Sequence, residues 1–382
     1  MKKILVVHNN YRDLGGEDIA VKNEINFLKK YYEVETLFFS NKTSDIVNNI
    51  GSLVLRNNIK SNNKFKHVVK NFKPDVIYIH NTWFQASLGI FDIASELDIK
   101  TIVKLHNFRY FCTRHYMASK HLNKNKICKA CGIQESSIGK FNKYYSDSVL
   151  KSLSVINYGK KYFKILENFN LDILVLTDFH KSFLINLGLN EEKIKTYPNY
   201  LDIDLENKNI LESDYIVYAG RVSEEKGVKE LVKAFLEADV KNLKLKVVGK
   251  GPNLDVLKSK YRYKRIEFTG ERSNKEVLDL ISKSRAVVTA TKLYEGQPTL
   301  LCEASALGVP SIFPDTGGIK EFFPNEYRLA FKQFDYEELK NKLKLLNNTK
   351  EVELIGAENK RFINNYLNEN RLNKIFMSIH EK

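Results

Sequence analysis

Thr289-Ala-Thr-Lys-Leu-Tyr-Glu295-Gly-Gln-Pro-Thr-Leu-Leu-Cys-Glu303-Ala-Ser-Ala-Leu-Gly-Val-Pro310 is the stretch whose reading decides the fold. A short β-branched run, Ala286 to Thr289, predicts a buried strand that feeds a loop holding Glu295 and Gly296. Pro298 stands where the first turn of a helix tolerates it. The helix should run from about Thr299 to Leu307 and end at Gly308, and Val309-Pro310-Ser311-Ile312 starts the next strand. Glu295 then lies in the loop and Glu303 a turn or so into the helix. Both border a helix N-terminus whose free N–H groups and positive dipole end suit a phosphate. A carboxylate beside a phosphate is costly unless it binds hydroxyls, so both glutamates read as grips on sugar or ribose hydroxyls.

The rest of the chain repeats the strand–helix order. Strands are expected at Ile4–Val7, Glu33–Phe38, Asp75–Ile79, Thr101–Leu105 and Ile173–Leu176, with helical periodicity over Glu17–Lys30, Lys60–Phe72 and Gln85–Leu97. A second series follows at Tyr215–Tyr218, Leu243–Val248, Arg265–Phe268, Ala286–Thr289, Ser311–Phe313 and Arg328–Ala330. Such alternation argues for parallel sheets covered by helices on both faces, and 382 residues suit two domains. The polar segment Tyr200 to Ser213 reads as the linker, and from Lys350 onward the chain reads helical, with its last turns expected to cross back onto the first domain.

Ligands bind such sheets beyond the carboxyl ends of the strands. The unusual residues fall there: Gly15-Gly16, His80-Asn81, His106-Asn107, Gly220-Arg221, Gly249, Glu295-Gly296 and Gly317-Gly318. Two facing crevices would make a cleft between the domains. In Tyr218-Ala-Gly-Arg221-Val-Ser-Glu-Glu-Lys226-Gly227, a glycine admits a ligand to the backbone and two cations, five apart, stand at a helix start. Arginine and lysine so placed would compensate a departing diphosphate.

Charge and cysteines narrow the partners. The net charge of +15 is uneven, with 27 Lys and Arg against 15 Asp and Glu in residues 1–172, and 34 against 31 in the remainder. The first half should therefore meet the anionic partner. Lys60–Lys73 and Lys140–Lys164 are basic stretches interleaved with apolar residues, suited to an anionic membrane surface, and no nucleic-acid-binding motif competes. No apolar run is long enough to span a membrane and Met1-Lys-Lys-Ile-Leu-Val-Val-His8 is too short for a signal peptide, so a cytoplasmic protein, peripheral on the inner membrane face, is expected. Cys112-x2-His115 and Cys128-x2-Cys131 have zinc-site spacing, but only one half is Cys-x-x-Cys and His121 competes with His115. A structural zinc at Cys112, Cys128 and Cys131 is the lesser reading, and no cofactor is expected. Asp202-Ile-Asp204 spells a metal-binding Asp-x-Asp but lies in the linker.

These motifs closely resemble those of the retaining glycosyltransferases of family 4. The resemblance rests on the glutamate, seven residues, glutamate pattern with Glu-Gly before the proline and Glu-Ala-x-Ala-x-Gly-x-Pro after it, and on Gly-Arg-x-x-x-x-Lys-Gly. Tyr197-Pro-Asn-Tyr-Leu-Asp202 resembles the family's Pro-Asn-Gly-Val-Asp with Tyr200 in place of Gly, and Val103-Lys-Leu-His-Asn107 its Thr-x-His-Asp with Asn107 in place of Asp.

The resemblance implies an α/β protein of GT-B architecture: two Rossmann-like domains facing across a cleft, an acceptor domain over 1–200, a nucleotide-sugar domain over 201–365, and a returning helix over 366–382. It implies retaining, metal-independent, hexosyltransferase-like transfer from a nucleotide diphosphate sugar to a glycan or lipid-linked acceptor, as in bacterial cell-surface polysaccharide biosynthesis. Arg221, Lys226, Glu295 and His106 would be catalytic. Gly15, Gly16, Gly220, Gly249, Gly296, Gln297, Thr299, Leu300 and Glu303 would bind the donor, and no residue a catalytic metal. His80 and Asn81 are candidates for the acceptor side. A nucleotide-sugar epimerase on the same architecture and a non-catalytic polyanion-binding protein remain as alternatives. The nucleotide base, the sugar and the linkage are not legible.

Overall fold

The computed structural model describes residues 1–11, 15–41, 57–108, 149–203, 213–240, 242–262 and 265–381 of the 382-residue chain. They divide into two compact units. The first takes in the described residues up to Tyr200 together with 369–381, and the second Leu201–Asn368.

The first unit runs β1 (Lys3–Asn10), α1 (Gly16–Leu28), β2 (Glu33–Ser40), α2 (Ile59–Phe72), β3 (Val76–Asn81), α3 (Gly89–Glu96), β4 (Lys100–Leu105), α4 (Val149–Asn168), β5 (Asp172–Val175), α5 (Asp178–Asn186) and β6 (Ile194–Thr196). The strands form one parallel sheet in the order β2-β1-β3-β4-β5-β6. Central strands β3 and β4 are buried almost throughout, as continuous apolar runs covered on both faces should be.

The second unit runs β7 (Tyr215–Ala219), α6 (Val228–Glu237), β8 (Lys244–Val248), α7 (Leu254–Lys260), β9 (Ile266–Gly270), α8 (Asn274–Ser282), β10 (Val287–Val288), α9 (Thr299–Ala306), β11 (Ser311–Asp315), β12 (Ala330–Lys332), α10 (Tyr336–Leu345) and α11 (Thr349–Tyr366). Its parallel sheet has the order β12-β11-β10-β7-β8-β9. Its helices start where the sequence supplies caps: Ser273 and Glu276 form a capping box on α8, while Asp335 and Asn348 cap α10 and α11.

The expected strands are all present, with shifted edges. Only Val287 and Val288 count as β10, yet the ladder continues on both sides, from Val217 N to Ala286 O and from Thr289 N to Ile312 O. The last strand lies at Ala330–Lys332, two residues beyond the expected start. β6 was not anticipated: Ile194-Lys-Thr is too short to show a period, and it is a strand because it pairs with β5. The C-terminal tract is two helices, α11 and α12 (Glu369–His380), broken at Leu367. α12 belongs to the first unit and buries Leu372, Phe376 and Ile379 among Tyr32, Tyr78 and Tyr197. Burial is worth about 1.5–3 kcal/mol for each such side chain.

Both strand orders reverse direction once. In the second sheet that point lies between β7 and β10, and in the first between β1 and β3. Such reversal points are where α/β sheets bind ligands, at the carboxyl ends of the strands, so the topology alone marks Gly220–Lys226 with Thr289–Glu303, and Asn10, Tyr11, Gly15 and Gly16 with His80–Asn81.

Candidate active site

At the second unit's reversal point, Lys226 and Glu295 form an ion pair. Lys226 Nζ lies 2.6 Å from Glu295 Oε1, which also accepts a hydrogen bond of 3.0 Å from the Thr291 hydroxyl. Two glycines make the geometry. Gly227 sits at φ +66° against Ala290, where a Cβ would overlap the Ala290 carbonyl, and Gly317 at φ +60° lies equally close to the Glu295 backbone. Gly318 N then donates to Glu295 O at 2.9 Å, so the loop bearing the carboxylate is held from both sides. Lys292 adds a second tie, with its side chain on Glu230 at 2.9 Å and its N–H on Glu225 O.

Arg221 differs. Its side chain is 67% exposed and its charged contact is a 3.9 Å approach to Glu225, although its carbonyl is pinned by the Tyr218 hydroxyl. It is an exposed, loosely held cation rather than the fixed one expected. Gly220 and Gly249 close the neighbouring strand ends, Gly220 N bonding Val248 O and Gly249 N bonding Gly270 O.

Pro298 caps α9 as expected, and Thr299 and Leu300 stand half-buried in its first turn, with Gly296 half-buried before it. Gln297 is buried and its side chain bonds the Cys302 thiol. Glu303 is not the solvated helix residue that a surface glutamate would be: it is 7% exposed, and among the described residues its carboxylate has no hydrogen-bond partner. Burial pushes its pKa up to about 7. A carboxylate kept this dry without a donor is an unfilled acceptor for ligand hydroxyls.

In the first unit, Gly15 N and Tyr11 N both donate to the Asp18 carboxylate, at 2.8 and 3.3 Å, and His8 Nε2 lies 2.9 Å from it. Burial pushes the Asp18 carboxyl up, but the bonds from His8 and Gly15 outweigh it and hold it below its usual range. Among the described residues, nothing lies where a Cβ on Gly16 would point. His80 Nδ1 lies 2.9 Å from His106 Nε2. Asn107 and Tyr11 both donate to Glu17 Oε2, at 3.0 and 2.7 Å, an arrangement that the family's Asp at position 107 would oppose by like charge. Asn81 is used by its own loop, donating to Asn9 O and accepting from Trp83 N. His80 is as buried as Asn81 and its Nδ1 is engaged by His106, so neither acceptor-side candidate presents an open side chain.

The sequence reading missed one cluster. Lys104 and Glu24, both fully buried, pair at 2.7 Å, and Tyr78 donates its hydroxyl to Glu24 at 2.5 Å. The Lys104 ammonium also lies 4.4 Å over the Tyr197 ring. A lysine inside the apolar run Ile102–Leu105 was the available signal. Cys112, His115, His121, Cys128, Cys131, Asp204 and the 140–148 part of the second basic stretch lie outside the described residues.

Residues 202–366 match the family model described as glycosyl transferases group 1. A curated relative from Bacillus subtilis (strain 168), named "Putative teichuronic acid biosynthesis glycosyltransferase TuaC", is 35% identical over 122 residues, which take in 32% of this chain and 30% of that one. The chain thus aligns with under a third of that relative's length. Among solved structures, Anabaena Alr3699/HepE in complex with UDP and glucose superposes with a TM-score of 0.67 at 16% identity, covering 99% of both chains. Sucrose-phosphate synthase from Thermosynechococcus elongatus superposes at 0.70 and 15%, covering 100% of this chain and 98% of that one. At such identities these likenesses establish the fold. The chain has the GT-B fold, and its match to the glycosyl transferases group 1 model is confined to residues 202–366, under half of its length.

Proposed function

We propose that this protein is a retaining, metal-independent glycosyltransferase that moves a sugar from a nucleoside diphosphate sugar to a glycan or lipid-linked acceptor in cell-surface polysaccharide assembly. The observation that carries the reading is the Lys226–Glu295 pair at the strand-order reversal, with the dry Glu303 on the helix that follows. An arriving diphosphate competes with Glu295 for Lys226. Glu295 is then released to accept sugar hydroxyls, and Arg221 is free to fold onto the departing phosphate. Glu303 accepts the ribose hydroxyls, and the α9 N-terminus faces the phosphates. Departing phosphate oxygen takes the acceptor proton, so no covalent intermediate is needed. The Alr3699/HepE complex with UDP and glucose supports a uridine diphosphate sugar as the first donor to try.

The test is a panel of nucleotide sugars, read first as protection against thermal unfolding and then as transfer in excess chelator. A uridine diphosphate sugar should protect and be turned over only with acceptor. Donor consumed without acceptor favours an epimerase, transfer that needs added Mg²⁺ removes metal independence, and no protection by any nucleotide sugar sinks the reading.

We also assign the first unit to an anionic membrane surface. α2 contains no acidic residue; it turns Phe65 and Val69 inward and leaves Lys60, Lys66, Lys70 and the following Lys73 exposed. With Phe65 and Val69 buried, the attraction is electrostatic, about 1 kcal/mol per lysine. Among the described residues no helix is long and apolar enough to cross a membrane. Co-sedimentation should be strong with anionic vesicles, weak with neutral ones and reduced by salt. Equal binding to both would refute it.

A further inference from the structure

His80 ends β3 and His106 follows β4, its neighbour in the sheet. Their rings stack with centroids 5.2 Å apart and share the bond from Nδ1 of His80 to Nε2 of His106. Burial holds both imidazoles well below their usual range, helped by each ring's neighbours, so both are neutral at pH 7. The charged and titratable groups around them are His8 from β1, Lys104 from β4 with its partner Glu24 from α1, and His180 from α5. Two neutral imidazoles sharing one bond must divide the roles of donor and acceptor.

The buried nitrogens decide the division. Were His106 the donor, His80 would carry its own proton on Nε2, which is buried and has no partner. A buried N–H without an acceptor is among the rarest features of a folded protein.

We propose that His80 is a positioning residue, donating from Nδ1 to His106 Nε2 and thereby holding His106 with its proton on Nδ1. His106 then meets its ligand as a hydrogen-bond donor and not as a base. Its natural partner is a sugar hydroxyl or phosphate oxygen at the end of β4. The identity of that oxygen rests on the proposed transferase function, whereas the tautomer does not.

The test is long-range proton–nitrogen NMR on histidine-labelled protein, with His106 assigned by its loss in His106→Gln. His106 should show a protonated Nδ1 and a bare Nε2; the reverse pattern overturns the proposal whether or not the protein transfers sugar. Two variants give an independent reading. His80→Asn keeps a donor near the position of Nδ1 and should retain more turnover than His80→Phe, which removes it and should cost about tenfold or more, the scale seen when an imidazole loses the partner that orients it. Wild-type turnover should show no histidine-linked limb between pH 5.5 and about 7. His80→Phe should acquire an acid limb as the released His106 gains basicity. Equal behaviour of His80→Asn and His80→Phe in both turnover and pH profile overturns the positioning role. If the NMR pattern is as expected but no nucleotide sugar is turned over, the transferase reading fails and the tautomer stands.

Discussion

The two units treat charge in opposite ways at their strand-order reversals. The first buries it: Glu24 and Lys104 are fully enclosed, and His8 and Asp18 nearly so. The second leaves its central pair open, with Lys226 30% and Glu295 24% exposed. A closed pair cannot change partners without leaving an uncompensated charge in a dry interior. An open pair can, because water covers the intermediate state. The first unit therefore presents a fixed array of donors and acceptors, and the second holds a latch that a ligand can undo.

The sharpest way to break this contrast is to remove one cation from each pair. Lys104→Met should destabilise the protein by about 3–5 kcal/mol, because Glu24 is left charged and buried without its partner. Lys226→Ala should cost under about 1 kcal/mol, as expected for a solvent-screened pair, yet slow transfer roughly 10²–10³-fold. Urea unfolding of the two variants beside their turnover checks both halves. If Lys226→Ala proves the more destabilising, the latch description is wrong. If Lys104→Met is neutral, the first unit's rigidity has another source.

Glu303 sharpens the comparison on a smaller scale, since it is the one dry carboxylate among the described residues of the second unit's site. Its pKa in the folded protein, about 7, lies above its ordinary 4.5, so the folded state binds the proton more tightly than the unfolded state does. Stability from this group is complete below pH 4.5 and is lost as pH rises toward 7, by up to about 3 kcal/mol. Glu303→Gln should flatten the dependence of stability on pH between 5 and about 7.5. Nucleotide affinity should run the other way in the wild type, rising with pH as the carboxylate ionises and accepts ribose hydroxyls. An unchanged stability profile in Glu303→Gln would show that the carboxyl is not dry.

The sequence was legible where local pattern and site coincide. The helix begun by Pro298, the two glutamates of one short motif and the glycines at strand ends all lie within short windows, so local pattern together with the family resemblance singled them out. What escaped depends on contacts between distant segments. Glu24 and Lys104 are 80 residues apart, and neither position signals its partner. The burial of Glu303 comes from the packing around α9, not from its neighbours in sequence. Lys226 and Glu295 were both identified, yet their pairing with each other spans 69 residues and was not foreseen.

α12 has a consequence for how the chain is assembled. The seat formed by Tyr32, Tyr78 and Tyr197 is complete early, but Leu372, Phe376 and Ile379, which fill it, come only after the whole second unit has been synthesised. A nascent chain therefore carries an open aromatic groove on its first unit throughout that interval. Until α12 arrives, that aromatic surface stands exposed to water. Synthesis of α12 closes it, so the order of the chain makes covering of this groove a late event in folding.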